Sequence, residues 1–331
     1  MRRRSLCLNS YEVGLKGVIV FVLLAFLSTS WSFPSLLTSR IPFSTIEAKS
    51  KKLTRKKETF LLFAQPIPSS DLGFVDRKAT NLTIEVAGRE FDVSQAPGVL
   101  ESRRAGGTTG AVLWNVTPRL AEWLSAPHNA LFAAVRPSPA VLELGCGTSG
   151  LLALVTAGRA GRYTLTDQGY VYRTLAANLA ANEERVAQRR GKGRDRASSS
   201  QKAERREGTF GAAGNISFVE LDWEQDVPGP SLAGGAANGL DVVLAADCIY
   251  NEALVRPFVQ TCADACGLRR AGDGEDPTVC VVAQQLREPG VFGAWMEAFH
   301  ERFRTWRVPD AVVGEELGEG SGFVVHVGVL R

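Results

Sequence analysis

The residues of this chain best equipped for chemistry gather in two short runs, Val141-Leu-Glu-Leu-Gly-Cys-Gly-Thr-Ser-Gly150 and Leu244-Ala-Ala-Asp-Cys-Ile-Tyr250. Each is an apolar stretch of strand character that ends on glycines or polar groups. Gly145, Gly147 and Gly150 spell G-x-G-x-x-G, and Asp167 closes a later apolar run, Tyr163-Thr-Leu-Thr166, at the spacing of a ribose-binding acid. Glycines at 145 and 147 permit a tight turn and a backbone approach to a ligand that a Cβ would prevent. Asp167, at the end of the next strand, is placed to accept hydrogen bonds from two ribose hydroxyls.

The glycines alone do not choose between a nicotinamide dinucleotide and S-adenosylmethionine, because both use this geometry. Two features favour S-adenosylmethionine. Glu143 stands two residues before the first glycine, where a pyrophosphate would repel a carboxylate and a sulfonium or an amino group would be attracted to it. The polar cluster Asp247-Cys-Ile-Tyr250 ends a later strand, at the sheet edge where open α/β folds bind ligands. A nicotinamide oxidoreductase would also call for a Tyr-x-x-x-Lys pair, which the sequence lacks. Six cysteines and three histidines show neither a C-x-x-C pair nor metal-ligand spacing, so no metal site is expected.

These residues need a doubly wound, largely parallel sheet to bring them together, and the chain reads that way from Asp71 onward. Strands are expected at Ala140 to Leu144, Tyr163 to Thr166, Ile216 to Leu221, Leu240 to Ala246, Thr278 to Gln284 and Phe323 to Leu330, alternating with helices. Leu82 to Val86 and Glu90 to Val93 alternate apolar and polar residues around Ala87-Gly88-Arg89 and read as a β-hairpin. Thr117 and Pro118 read as N-cap and first residue of a helix, and Phe292 to Trp306 as one amphipathic helix. The domain is thus residues 71–331. Within it, residues 187–214 are rich in Gly, Ser, Arg and Lys and read as a disordered basic insertion. Any contact with nucleic acid would run through that insertion, since a net charge of +3 does not argue for it.

Residues 1–70 read as an extension outside the domain. Met1-Arg-Arg-Arg4, the apolar run 17–27 and the following serines have the order of a secretory signal, or else reflect a start codon placed too early. The remainder is a basic linker. Acceptor patterns at Asn81, Asn115 and Asn215 argue for the cytoplasm, because a glycan at Asn115 would crowd Trp114; the alternative is a membrane-associated or organelle-targeted protein.

Trp114 after a glycine-rich loop, Glu-Leu-Gly-Cys-Gly, Thr166-Asp-Gln168, Leu221-Asp-Trp-Glu224 and Ala246-Asp-Cys-Ile-Tyr250 together resemble the seven-strand protein lysine methyltransferases of the Asp-x-x-Tyr family, and within it the fungal ribosomal lysine methyltransferases. The resemblance runs from about Leu72 to Arg331 and implies a Rossmann-like seven-stranded sheet whose last strand is antiparallel. It implies cofactor contacts from Trp114, Gly145, Cys146, Gly147, Asp167, Trp223 and Ala246, beside Glu143. Trp114 could stack on adenine or attract the sulfonium. Cys146 and Cys248 are expected close together as small packing groups. Asp247 is expected to orient the substrate ammonium and Tyr250 to shape its channel. The implied partner is a protein presenting a lysine, a large-subunit ribosomal protein in particular, to a monomeric enzyme. A small-molecule methyltransferase and a non-catalytic binding module of the same fold are the competing readings.

Overall fold

The computed structural model describes residues 55–68, 73–102, 107–191, 209–210, 214–269 and 276–331. The apolar run 17–27 lies outside them, as does most of the basic insertion. Among the described residues no helix is long and apolar enough to cross a membrane.

A hairpin of β1 (Asn81–Val86) and β2 (Arg89–Ser94) stands beside one mixed sheet. The sheet strands are β3 (Ala140–Leu144), β4 (Arg162–Asp167), β5 (Thr209–Phe210), β6 (Ile216–Glu220), β7 (Val242–Ala246), β8 (Val279–Gln285), β9 (Phe303–Arg307) and β10 (Phe323–Leu330), in the order β5-β6-β4-β3-β7-β8-β10-β9. Without the two-residue edge strand β5, this is the seven-strand sheet expected, and β10 runs antiparallel to both its neighbours.

The central strands are apolar throughout because both of their faces are covered. Alternate residues of β3 and β7 serve opposite cores: Val141, Val242 and Leu244 face one, Leu142, Leu144 and Val243 the other. The first core is closed by α2 (Val116–Ser125), α3 (Leu151–Thr156) and α4 (Tyr172–Gly191), the second by α5 (Glu252–Gly267), α6 (Pro289–Arg302) and, across it, α1 (Arg55–Phe63). Strand order reverses between β3 and β7, so their carboxyl ends splay into the crevice where such sheets bind ligands.

Three elements add detail to the expected pattern. Before residue 71, α1 packs on α6, Leu62 is buried, and Glu58 meets the buried His326 at 2.8 Å. Within residues 187–214, α4 continues to Gly191 and β5 pairs with β6. The helix read as Phe292 to Trp306 ends at Arg302, and its tail becomes β9 on the edge of β10. Locally, α2 begins at Val116 without a side-chain cap, and the Asn115 amide donates to the Phe74 carbonyl at 2.9 Å.

Candidate active site

The loop after β3 turns through Gly145, Gly147 and Gly150, all left-handed with φ between 60° and 66°. A Cβ on Gly145 would lie 2.8 Å from Cys248 Sγ and 3.2 Å from the Trp223 ring; one on Gly147 would lie 3.2 Å from the Gly110 carbonyl. The glycines are therefore required by the protein's own packing as well as by any ligand. The Gly147 N–H donates to Asp167 Oδ2 at 2.8 Å and the Gln168 N–H to Asp167 Oδ1 at 2.7 Å. Burial pushes the Asp167 carboxyl up to about 6 against the pull of those two bonds.

Around this loop lies an open cleft. Trp114, Gly145, Cys146, Gly147, Asp167, Trp223, Ala246, Asp247 and Tyr250 all line it. Trp223 packs on Phe258 at 5.1 Å between ring centroids. Trp114 packs on Phe74 at 4.3 Å, and its indole N–H donates to the Thr109 carbonyl at 2.8 Å. The Cys248 thiol donates to the Leu144 carbonyl at 3.3 Å, and burial pushes both cleft thiols, Cys146 and Cys248, well above the usual thiol range. They are inert packing groups at neutral pH.

Two of the expected site residues are held by partners within the chain. Glu143 is 2% exposed and does not line the cleft; it accepts a 2.7 Å hydrogen bond from the Tyr163 hydroxyl, and burial pushes its carboxyl up to about 8. Asp247 lines the cleft, and its side chain is 1% exposed. Both Asp247 oxygens accept from the Arg287 guanidinium, Nη1 reaching Oδ1 at 2.7 Å and Nη2 bonding Oδ2, while the Gln285 N–H donates to Oδ1 at 3.2 Å. Asp247 itself sits in the left-handed region at φ 60°, which Asp tolerates better than most residues.

Tyr250 is the accessible member of that cluster, 37% exposed, with its hydroxyl 3.2 Å from Thr109 Oγ1; burial of its ring end holds the phenol above its ordinary range. The sequence reading missed Thr109, Gly110, Thr148, Tyr170, Glu224 and Arg287. Of these, Thr109 and Gly110 belong to the glycine-rich loop before Trp114, which could have marked them as cleft residues. Thr148 carries a ligand-directed signal: its Oγ1 is buried in the cleft wall and makes no hydrogen bond among the described residues.

The cleft can hold an elongated ligand with a flat apolar end and vicinal hydroxyls. An apolar wall at Leu221 and Trp223, an anchored acceptor at Asp167, the orphaned Thr148 hydroxyl and a glycine cradle fit the adenosine portion of S-adenosylmethionine. Among the described residues no group of three or more His, Cys, Asp or Glu could hold a metal ion.

Fold and site together define an S-adenosylmethionine-dependent methyltransferase of the seven-strand class. The family model described as lysine methyltransferase matches residues 205–284, a span that contains β6, β7 and the Asp247–Tyr250 cluster. Ribosomal lysine N-methyltransferase 5 of Zygosaccharomyces rouxii is 31% identical over 230 residues, covering 62% of this chain and 69% of that protein. The same enzyme of Eremothecium gossypii is 29% identical over 227 residues, covering 58% and 69%. A Schizosaccharomyces pombe protein named diaminohydroxyphosphoribosylamino-pyrimidine deaminase is 27% identical over 267 residues, 80% of this chain but only 55% of that longer protein. The chain belongs to the ribosomal lysine N-methyltransferase 5 family of lysine methyltransferases.

Proposed function

We propose that the protein transfers a methyl group from S-adenosylmethionine to the side-chain nitrogen of a lysine in a ribosomal protein. The observation that carries this reading is the cleft at the β3/β7 switch point, where an anchored carboxylate, an orphaned hydroxyl and a glycine turn meet a mouth walled by Trp114 and Tyr250. In it, Asp167 would hold the ribose, Trp223 and Leu221 the adenine, and Gly145, Gly147 and Ala246 the backbone-lined middle. The bound cofactor supplies an electrophilic methyl and a thioether leaving group.

What remains for the protein is chiefly positioning and drying. A lysine amine, which in water holds its proton up to about pH 10.4, must be presented neutral, and at pH 7 that costs roughly 4–5 kcal/mol. The half-exposed Tyr250 and the Trp114 wall line the route by which that amine would enter, and their rings exclude water from it. The Asp247–Arg287 pair stands beside that wall, the guanidinium 5.1 Å from the Trp114 ring. A cytoplasmic workplace suited to a ribosomal substrate belongs to the same proposal.

The test is to incubate the full chain with tritiated S-adenosylmethionine and salt-washed large ribosomal subunits, then locate label by mass spectrometry. Methylated lysine on one ribosomal protein is the expected result. Label on small molecules only, or none above a heat-killed control, overturns the reading.

A further inference from the structure

A carboxylate at the end of β7 is the natural receiver for a substrate ammonium, but here a cation of the chain itself already occupies it. We propose that Arg287 is a positioning residue, and that Asp247 and Arg287 act as one unit that sets the cleft wall, in place of Asp247 alone meeting the lysine. The proposal rests on the methyltransferase reading above and deepens it.

The geometry is that of a fork. Two guanidinium nitrogens address the two Asp247 oxygens, and Nη2 donates in addition to Gln285 Oε1 at 2.9 Å. With the Gln285 N–H on Asp247 Oδ1, these bonds tie the end of β8 to the end of β7 and hold Asp247 in its left-handed conformation. A lysine at 287 would supply the charge without the planar fork.

The same guanidinium lies over the Trp114 ring, Cζ 5.1 Å from its centroid. From there the contacts run onward: Trp114 N–H to the Thr109 carbonyl, and Thr109 Oγ1 to the Tyr250 hydroxyl. Tyr250 follows Asp247 by three residues in the chain, so the circuit closes on itself. Arg287 thereby fixes both walls of the mouth, although it does not line the cleft.

Nothing in the packing favours a swinging arm. The guanidinium is pressed against Gly73, where even a Cβ would overlap Nη2 and Gln285 Oε1, and its side chain is only 20% exposed. An arginine that left Asp247 to admit a lysine would have to break three hydrogen bonds and the indole contact together.

The experiment compares Arg287→Met, Arg287→Lys, Asp247→Asn and the Met/Asn double variant with wild type, all as full chains. Three quantities are read: S-adenosylhomocysteine affinity by calorimetry, methyl transfer to salt-washed large ribosomal subunits at saturating cofactor, and the thermal midpoint. Arg287→Met and Asp247→Asn should each slow transfer on the order of 10²-fold, the cost of misplaced reacting groups. S-adenosylhomocysteine affinity should stay within about threefold, so the loss appears in kcat and not in cofactor binding. The double variant should be no slower than the worse single, and Arg287→Lys should recover part of the rate.

Transfer by Arg287→Met at or above the wild-type rate overturns the proposal, since Arg287 would then be a plug that competes with substrate. A loss of S-adenosylhomocysteine affinity as large as the loss of rate also overturns it. So do midpoint losses of the single variants that simply add in the double, and this arm needs no acceptor. If wild type labels no ribosomal lysine, the substrate reading fails, while the midpoint cycle still decides whether the pair is a unit.

Discussion

Replacing Glu143 with Gln isolates a deeply buried acid whose hydrogen-bond partner, the Tyr163 hydroxyl, carries no charge. Glu143 ends up 2% exposed beneath the carboxyl end of β3, accepting from Tyr163, and its carboxyl is pushed from 4.5 up to about 8, chiefly by burial. In the unfolded chain the proton leaves near 4.5; in the folded chain it stays until about 8. Between those values the folded state holds one more proton than the unfolded state, so stability falls as pH rises, by about 1.4 kcal/mol per pH unit. The total at and above the folded value is ~5 kcal/mol, and it is absent below the unfolded value. Gln has the same shape, keeps a carbonyl oxygen for the Tyr163 hydroxyl and carries no charge at any pH. Its variant should therefore match wild type in mild acid and exceed it by several kcal/mol above about pH 8.

The measurement is urea denaturation of both full chains at a series of pH values from about 6.5 to 8.5, above the Asp167 transition so that only Glu143 separates the curves. Other groups, the His326–Glu58 pair among them, are common to both proteins and cancel in the difference. A stability gap that stays constant across this range, or a variant less stable than wild type at its alkaline end, would refute the assignment of a neutral Glu143.

The remaining predictions concern the cleft and its foundation. Asp167→Ala should weaken S-adenosylhomocysteine binding roughly tenfold or more, the worth of a charge-assisted bond, as read by calorimetry. In wild type the same affinity should decline as pH falls through about 6, where the raised Asp167 carboxyl takes up its proton, and an affinity flat to well below that value would remove Asp167 from the ribose role. Gly145→Ala must force a left-handed alanine against Cys248 and Trp223, so its thermal midpoint and its cofactor affinity should both fall. A chain beginning at Asp71 loses α1, uncovers the His326 pocket and deletes buried Leu62; it should be less stable than the full chain by about 3 kcal/mol or more, and equal denaturation midpoints would show α1 to be dispensable.

What could be read from residue order and what could not divide along one physical line, local against non-local. The β3, β7 and β8 strands are apolar on both faces, and the glycines at 145 and 147 punctuate a turn, so the fold and most of the cleft wall follow from local pattern. The edge strand β9 does not, because Phe292, Trp295, Met296, Phe299 and Phe303 keep a helical spacing that runs straight through the real helix end. Only pairing of residues 303–307 with β10 overrides it, and that pairing lies in another part of the chain. Helix α1 was hidden by its basic surroundings, since its burial depends on a docking site formed by α6 and β10.

The two acids at the strand ends make the point most sharply. Residue type and position placed Glu143 and Asp247 at the carboxyl end of the sheet, and both are there. Their chemistry is decided by neighbours that sequence spacing does not reveal: Tyr163, on the adjacent strand, and Arg287, forty residues on. One acid is left neutral by burial beside an uncharged hydroxyl, while the other keeps its partner and spends its hydrogen-bonding capacity on it. An acid at a strand end is thus a statement about position, and whether it can serve a substrate depends on what already holds it. For Asp247 that holder is Arg287, which makes the pair, and not the carboxylate alone, the unit whose removal the transfer reaction should feel.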